Sequence, residues 1–229
     1  MERIRLLRNT YLSAYLFALR HNNVDPNPFL NRCQIPGDFE FLEGYMLPAR
    51  LLHRLIQAAA GSCRPGVISA TAGLYNAAHQ PNPFADSLAH CRDLADAIER
   101  HNGNVALYSP ENRFDLEVLR TEARWRKLGQ SPTPETEIFC VANLIGHVRR
   151  FAGKAWRPGT VQVSLVTPAV LNALPMFRGV ETCAQSNHTA ITFAAEILNN
   201  APSAQRARKP ADAAGWSDPG CSDFVSTLR

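Results

Sequence analysis

The strongest helix signal in the chain lies at residues 134 to 152, and it constrains what the rest must supply. Thr133 is a typical N-cap residue, and Pro134 suits a first helical turn because its missing N–H loses no partner there. The apolar side chains recur at spacings of three and four residues, which places them on one stripe of a helix: Ile138, Val141, Ala142, Ile145, Val148 and Ala152. Such a stripe must be buried, so the pattern predicts a sheet elsewhere in the chain for this helix to pack on.

The segment after this helix alternates between extended and short helical patterns. Residues 161 to 165 alternate as a strand with one buried face, and Thr167 with Pro168 opens a short helix. Residues 180 to 183 and 189 to 193 read as two further strands joined by a polar turn.

The N-terminal part is predicted to be mainly helical, whereas residues 67 to 79 are ambiguous because their apolar residues fit a strand but alanines and Gly73 weaken it. Amphipathic helices are predicted at residues 3 to 21, 44 to 60 and 83 to 100, with a short one through Phe29 and Leu30. The predicted fold class is α+β: an antiparallel sheet flanked by helices, with a helical N-terminal part.

A β-hairpin is predicted from residues 105 to 108 and 114 to 127, and its second arm contains a conflict. Phe114, Leu116 and Val118 share one face, and two-residue periodicity continues that face into four charged residues: Arg120, Glu122, Arg124 and Arg126. A bulge near Leu119 would turn Leu119, Ala123 and Trp125 inward and leave the arginines on the surface. Without a bulge, the apolar surface becomes a charged pocket wall. The bulge is the favoured interpretation, and both stay open.

Composition limits the class of protein. A chain of 229 residues with 45% apolar residues can bury a core as one large domain, and a net charge of +4 does not by itself imply nucleic-acid binding. The six cysteines are far apart without a CxxC pair, which favours reduced thiols, and no apolar run fits a signal peptide or membrane span. We therefore expect a cytoplasmic protein with no membrane contact.

No catalytic signature is present in the sequence. A nucleophile elbow, a phosphate-binding loop, a dinucleotide fingerprint and an HExxH helix are all missing. The sequence therefore predicts a protein that is not an enzyme and has no metal site or cofactor.

Several short motifs carry a resemblance to a known family. They are Gly-Lys-x-Trp-Arg-Pro from Gly153, Val-x-Val from Val161, Pro-x-x-Leu from Pro168, and Asn-x-x-x-Ile-x-Phe from Asn187 followed by Ile-Leu. Their order resembles the amino-terminal sensor domain of one branch of AraC/XylS-type transcription regulators, often labelled arabinose-binding, over residues 10 to 228. Asn23 stands where the related regulators have glycine in a Gly-x-Asp-Pro opening. The resemblance implies a dimerising domain that binds a small-molecule effector.

The composition changes after Asn200 to that of a linker, rich in Ala, Pro, Ser, Arg and Lys. We expect residues 1 to 199 to form an effector-sensing regulatory domain and residues 200 to 229 to form a linker. In the related regulators this place leads into helix-turn-helix motifs that bind DNA. The expected DNA contact would therefore be made through a C-terminal domain absent from this chain.

Arg120, Glu122, Arg124 and Arg126 are the predicted ligand-binding residues. Guanidinium groups fork onto phosphate or carboxylate oxygens, so the effector is predicted to be a small anion. The Arg-x-x-x-Arg from Arg120 to Arg124 resembles that of PilZ-type receptors, which makes cyclic di-GMP the leading candidate. The companion element of those receptors has no clean match; Gly215-x-Ser217-x-x-Gly220 comes nearest and lacks its acidic or amide residue.

Two other classes of function are weighed against the sensor hypothesis. The first is a small-molecule enzyme without a recognisable motif, which would need Arg120 or Arg124 for turnover. The second is direct nucleic-acid binding through Arg206, Arg208 and Lys209, and a basic linker explains those residues equally well.

Overall fold

The computed structural model describes residues 5–39, 45–79, 90–110, 112–184 and 186–202. In these ranges the seven helices are α1 (Asn9–His21), α2 (Asn27–Cys33), α3 (Ala49–Ala59), α4 (Val67–Ala78), α5 (Leu94–Asn104), α6 (Pro134–Ala152) and α7 (Pro168–Asn172). The seven strands are β1 (Leu6–Arg8), β2 (Met46–Pro48), β3 (Arg113–Val118), β4 (Glu122–Leu128), β5 (Thr160–Gln162), β6 (Glu181–Cys183) and β7 (Thr189–Ala194). The predicted α+β class is confirmed.

Among the described residues, the main sheet has five strands in the order β3-β4-β7-β5-β6, and its pairs are antiparallel except for β5 and β6. The two strands predicted at residues 180 to 183 and 189 to 193 are present as β6 and β7. They are not neighbours, because β5 lies between them and pairs with both.

Helix α6 covers the inner face of this sheet. Thr133 caps it as predicted, and Thr136 completes a reciprocal capping box by accepting the Thr133 backbone N–H. The helix is buried well beyond the predicted stripe, because α4 packs on its other side. Glu137, in its first turn, is fully buried and accepts the backbone N–H groups of residues 164 to 166.

Helix α4 resolves the ambiguity over residues 67 to 79. It lies between two apolar cores, so its side chains are buried on both sides and show no clear helical stripe. Ala70 and Leu74 join the core with α6 and the sheet, whereas Ile68 and Ala72 join a second core with α1 to α3. A Cβ atom at Gly73 would lie 2.4 Å from the Phe139 carbonyl oxygen, so glycine is required for this close approach.

The predicted N-terminal helices are present with corrected boundaries. The segments predicted from residues 3 and 44 each contain a short strand, β1 or β2, and these two strands pair antiparallel before α1 and α3 begin. Residues 83 to 89 of the third predicted helix lie outside the described residues. Residues 90 to 93 of that prediction are described and are not helical, so the helix begins at Leu94, capped by the Asp93 carboxylate, and ends at Asn104. The prediction was therefore wrong over residues 90 to 93, and the helix continues four residues past the predicted end at residue 100.

The predicted hairpin was wrong in its first arm and its turn. Residues Val105–Leu107 form a 3-10 helix, and the turn joins β3 to β4 at residues 119 to 121, where the Leu119 N–H donates to the Glu122 carbonyl at 2.7 Å. A turn therefore takes the place of both the favoured bulge and the continuous pocket wall. Val118 pairs with Ala123 across this turn, so the arms present Phe114 and Leu116 on the same face as Lys127 and Trp125.

Candidate functional site

A cavity of about 150 Å³ lies where the hairpin and α6 meet α1 and α3, and we call it the junction cavity. Both apolar cores contribute to it: Leu52 and Ile56 belong to the core of α1 to α3, and Cys140 belongs to the core of the sheet. The site therefore depends on how these two parts of the chain pack together.

Aromatic rings form much of the junction cavity wall. Phe139 of α6 stacks on Tyr15 of α1, with ring centroids 5.4 Å apart and planes at 18°. Tyr11, one helical turn earlier, lies 5.8 Å from the same Phe139 ring. With Leu52 and Ile56 from α3, these rings give a wall that suits an apolar ligand body.

Lys127 brings an ammonium group to this apolar wall. It points inward because it follows Trp125 by two residues on β4 and pairs directly with Phe114 on β3. Lys127 is 7% exposed, and its Nζ makes one long hydrogen bond of 3.4 Å, to the Gln130 carbonyl. An ammonium carries three N–H donors, and none of the described residues that line the junction cavity is a carboxylate.

Ser131 adds a second polar group with unused hydrogen-bonding capacity. It lines the junction cavity from the loop between β4 and α6 and is 5% exposed. Its Oγ atom has no hydrogen-bond partner within the described part of the chain. A buried hydroxyl without a partner costs free energy, so a ligand that satisfied it would be favoured.

Burial shifts three ionisable groups of the junction cavity wall, Cys140, Tyr11 and His101, toward their neutral forms. Burial raises the pKa of Cys140 to about 12, although Lys127 opposes this rise, and burial likewise raises the pKa of Tyr11. Burial lowers the pKa of His101 to about 4. Lys127 therefore provides the buried charge of the wall, while Arg5 lies exposed at its edge.

Two of the four predicted ligand-binding residues lie on the opposite face of the same hairpin, which we call the arginine face. Arg126 forms a two-pronged salt bridge with Asp115, directly across on β3, at 2.6 and 2.8 Å. Arg124 binds Glu117, also directly across, at 3.2 Å. These arginines are more than a quarter exposed, so the structure gives them cross-strand ion pairs on the solvent side.

Arg120 and Glu122 are not part of these cross-strand ion pairs. Arg120 lies exposed in the turn, so it does not share a strand face with Arg124 as the continuous strand required. Glu122 is exposed at the first position of β4, and its carboxylate forms no ion pair with a described residue. The ligand-binding role of the four residues stays a prediction.

Sequence reasoning missed the inward-facing residues Lys127 and Ser131. The signal for Lys127 was available, because the alternation that turns Ala123 and Trp125 inward continues to Lys127. Ser131 carried no such signal, since its burial depends on helices distant in sequence.

The described residues also bear on three other features: metal sites, membrane-spanning helices and cysteine thiols. Among those residues, no three metal-ligating side chains lie close enough to share an ion, and no helix has the length and apolar character to cross a membrane. The five cysteines in the described ranges are free thiols, and Cys221 falls outside them.

Comparison with known proteins gives one distant structural likeness to report. No protein-family model and no curated protein matches the chain. The crystal structure of the transcriptional regulator CdpR from Pseudomonas aeruginosa aligns with a TM-score of 0.48 at 12% identity, covering 77% of this chain. The chain spans about 55% of the length of that regulator. At this similarity the AraC/XylS resemblance stays a prediction.

Proposed function

We propose that this chain is an effector-binding regulatory domain of a transcription regulator, and that the effector is a small anion bound in the junction cavity. The observation that carries the proposal is the buried Lys127 ammonium in an apolar cavity that offers it no carboxylate among the described lining residues. The sequence motifs from Gly153 to Leu198 support the assignment to AraC/XylS-type regulation, with DNA bound through a further domain and with a homodimer as the working unit.

The position of the junction cavity suits a sensor. A ligand changes an equilibrium between two states only by its difference in affinity for them. Because side chains from both apolar cores form the wall, a shift of α1 and α3 against α6 would change the contacts that a ligand makes. Ligand affinity would then depend on the arrangement of the two parts, and that dependence is what a relay to another domain requires.

The decisive experiment identifies what the protein retains. Native mass spectrometry of gently purified chain, followed by denaturation and small-molecule analysis, should reveal a bound anion. Adding that anion back to stripped protein should raise the melting temperature. A Thr10→Phe variant, which places a ring at the cavity wall, should lose this rise while keeping its fold by circular dichroism. If Thr10→Phe retained the anion and showed the same rise in melting temperature as the unaltered protein, the ligand would bind elsewhere and the proposal would be refuted.

Cyclic di-GMP at the arginine face is the second ligand hypothesis. A cyclic dinucleotide is much larger than the junction cavity, so it would bind at Arg124 on the arginine face, displace Glu117 from Arg124, and need to reach Arg120 in the adjoining turn. Calorimetric titration with cyclic di-GMP separates the two hypotheses. Heat that disappears in Arg124→Gln but persists in Lys127→Met would favour the arginine face. No heat at tens of micromolar protein would end this hypothesis and leave the first one intact.

A further inference from the structure

The chemistry of the junction cavity restricts its ligand beyond the statement that the ligand is anionic. The cavity has about the volume of one that takes up benzene, roughly 150 Å³, so it admits one ring or a short chain. Its wall combines the stacked rings of Tyr15 and Phe139 with the aliphatic side chains of Leu52 and Ile56. Polar side chains such as Thr10, Asn76 and Asn143 also line it, so a ligand body that fills this space must be compact and largely apolar.

The polar groups fit one negative charge. Lys127 is the buried cation of the wall, and the unpartnered Ser131 hydroxyl comes from the loop that also provides Gln130, the carbonyl partner of Lys127. An ammonium and a hydroxyl can donate one hydrogen bond to each oxygen of a carboxylate. A second negative charge would meet no further buried lysine or arginine among the described lining residues, because Arg5 lies exposed at the edge. Burial also keeps Tyr11 and Cys140 protonated by raising the pKa of each.

We infer that the junction cavity binds a compact monocarboxylate, with its head on Lys127 and Ser131 and its apolar or aromatic body against Phe139, Leu52 and Ile56. This inference rests on the proposed function, because it names the chemical class of the effector. It predicts weaker binding of dicarboxylates and phosphates, because a second negative charge would find no second buried lysine or arginine among the described lining residues.

The test uses defined probes on the purified chain at pH 7. Calorimetry compares phenylacetate and hexanoate with their neutral amides, phenylacetamide and hexanamide, and with the dianion glutarate. We expect at least one monocarboxylate to bind about tenfold or more tightly than its amide, because a hydrogen bond to a charged group is the stronger kind. Glutarate should bind more weakly than hexanoate.

Three variants assign the effect to named residues. Lys127→Met keeps the side-chain length and removes the charge, so the preference for carboxylate over amide should fall to about equality. Ser131→Ala should weaken carboxylate binding by about three- to tenfold, the value of one hydrogen bond. Arg113→Met is the matched control, because it removes an exposed cation from β3 of the same hairpin, on the arginine face, and should leave the preference unchanged.

The possible failures are distinguishable. Equal binding of carboxylate and amide by the unaltered protein would overturn the inference and leave the junction cavity as a ligand site. A preference that survives in folded Lys127→Met, or that disappears in Arg113→Met, would also overturn it. If no probe binds at millimolar concentration, the inference fails, and a small molecule retained in native mass spectrometry would still support the proposed function.

Discussion

The buried carboxylate of Glu137 is the most informative single position for testing this fold. Its Oε1 accepts the Ser164 N–H at 2.7 Å and the Thr189 hydroxyl at 2.8 Å. Its Oε2 accepts the N–H groups of Leu165 at 2.7 Å and Val166 at 3.1 Å. One side chain in the first turn of α6 thus accepts hydrogen bonds from three backbone N–H groups of the loop after β5 and from a hydroxyl group of β7.

The substitution Glu137→Gln keeps the size of this side chain and changes its hydrogen bonding. The best amide orientation leaves its oxygen facing Leu165 and Val166, while Thr189 turns its hydroxyl to accept from the amide. The Ser164 N–H then faces an N–H₂ group and is left unpaired, which costs about 1–3 kcal/mol. Loss of charge weakens the two remaining bonds by about 0.5–1 kcal/mol each. The expected decrease in the free energy of unfolding is about 3 kcal/mol.

Urea unfolding followed by circular dichroism measures this decrease as a lower midpoint at constant slope. Glu135→Gln is the matched control, since it makes the same change in the same helical turn at a half-buried site and should cost about 0.5 kcal/mol or less. Amide hydrogen exchange should show faster opening at residues 164 to 166. A loss below about 1 kcal/mol, or equal losses in both variants, would refute the role given to Glu137.

Gly73→Ala should lower the free energy of unfolding by about 3 kcal/mol, because its Cβ would overlap the Phe139 carbonyl. Gly103→Ala should raise the free energy of unfolding by about 0.5–1 kcal/mol, because α5 leaves open space around this position. Thermal unfolding of the two variants measures both effects. His101 has its pKa lowered from 6.5 to about 4, so the unfolded chain takes up the proton first as the pH falls. The stability that neutral His101 contributes is therefore retained above about pH 6.5 and lost as the pH falls. The free energy of unfolding should decrease by about 2 kcal/mol between pH 7 and 5, and His101→Phe should remove this decrease. Arg126→Gln should cost about 1 kcal/mol or less in the same urea assay, because its ion pair with Asp115 is partly exposed.

Sequence patterns predicted those elements whose capping residues and apolar periodicity lie within one short segment. The capped, striped helix α6 was predictable because Thr133, Pro134 and the apolar repeat all lie within one segment. Helix α4 was not, because burial on both sides removes the contrast between apolar and polar faces that periodicity needs. The hairpin turn was missed because Leu119 and Arg120 lack the glycine, asparagine or proline that usually marks one.

The same hairpin explains why two of the charged residues singled out from the sequence lie on the face opposite the junction cavity. Arg124 and Arg126 alternate with Trp125 and Lys127, so adjacent residues point to opposite sides of the sheet. Once the turn at residues 119 to 121 is known, the two-residue period assigns Lys127 to the inner face without further information. What the period cannot supply is the partner surface, since α1 and α3 are brought to Lys127 by packing between distant segments.

Helix α6 connects the junction cavity to Glu137, the residue that holds the loop after β5. Phe139 and Cys140 line the junction cavity, and Glu137 lies within one turn of both on the same rigid element. A ligand at one hundred times its dissociation constant stabilises the folded state by about 2.7 kcal/mol, close to the expected cost of Glu137→Gln. Ligand should therefore return the unfolding midpoint of Glu137→Gln to near that of the unaltered, ligand-free protein. If saturating ligand left the midpoint of folded Glu137→Gln unchanged while raising that of Glu135→Gln, the junction cavity would depend on the Glu137 anchor, and the two would act as one unit.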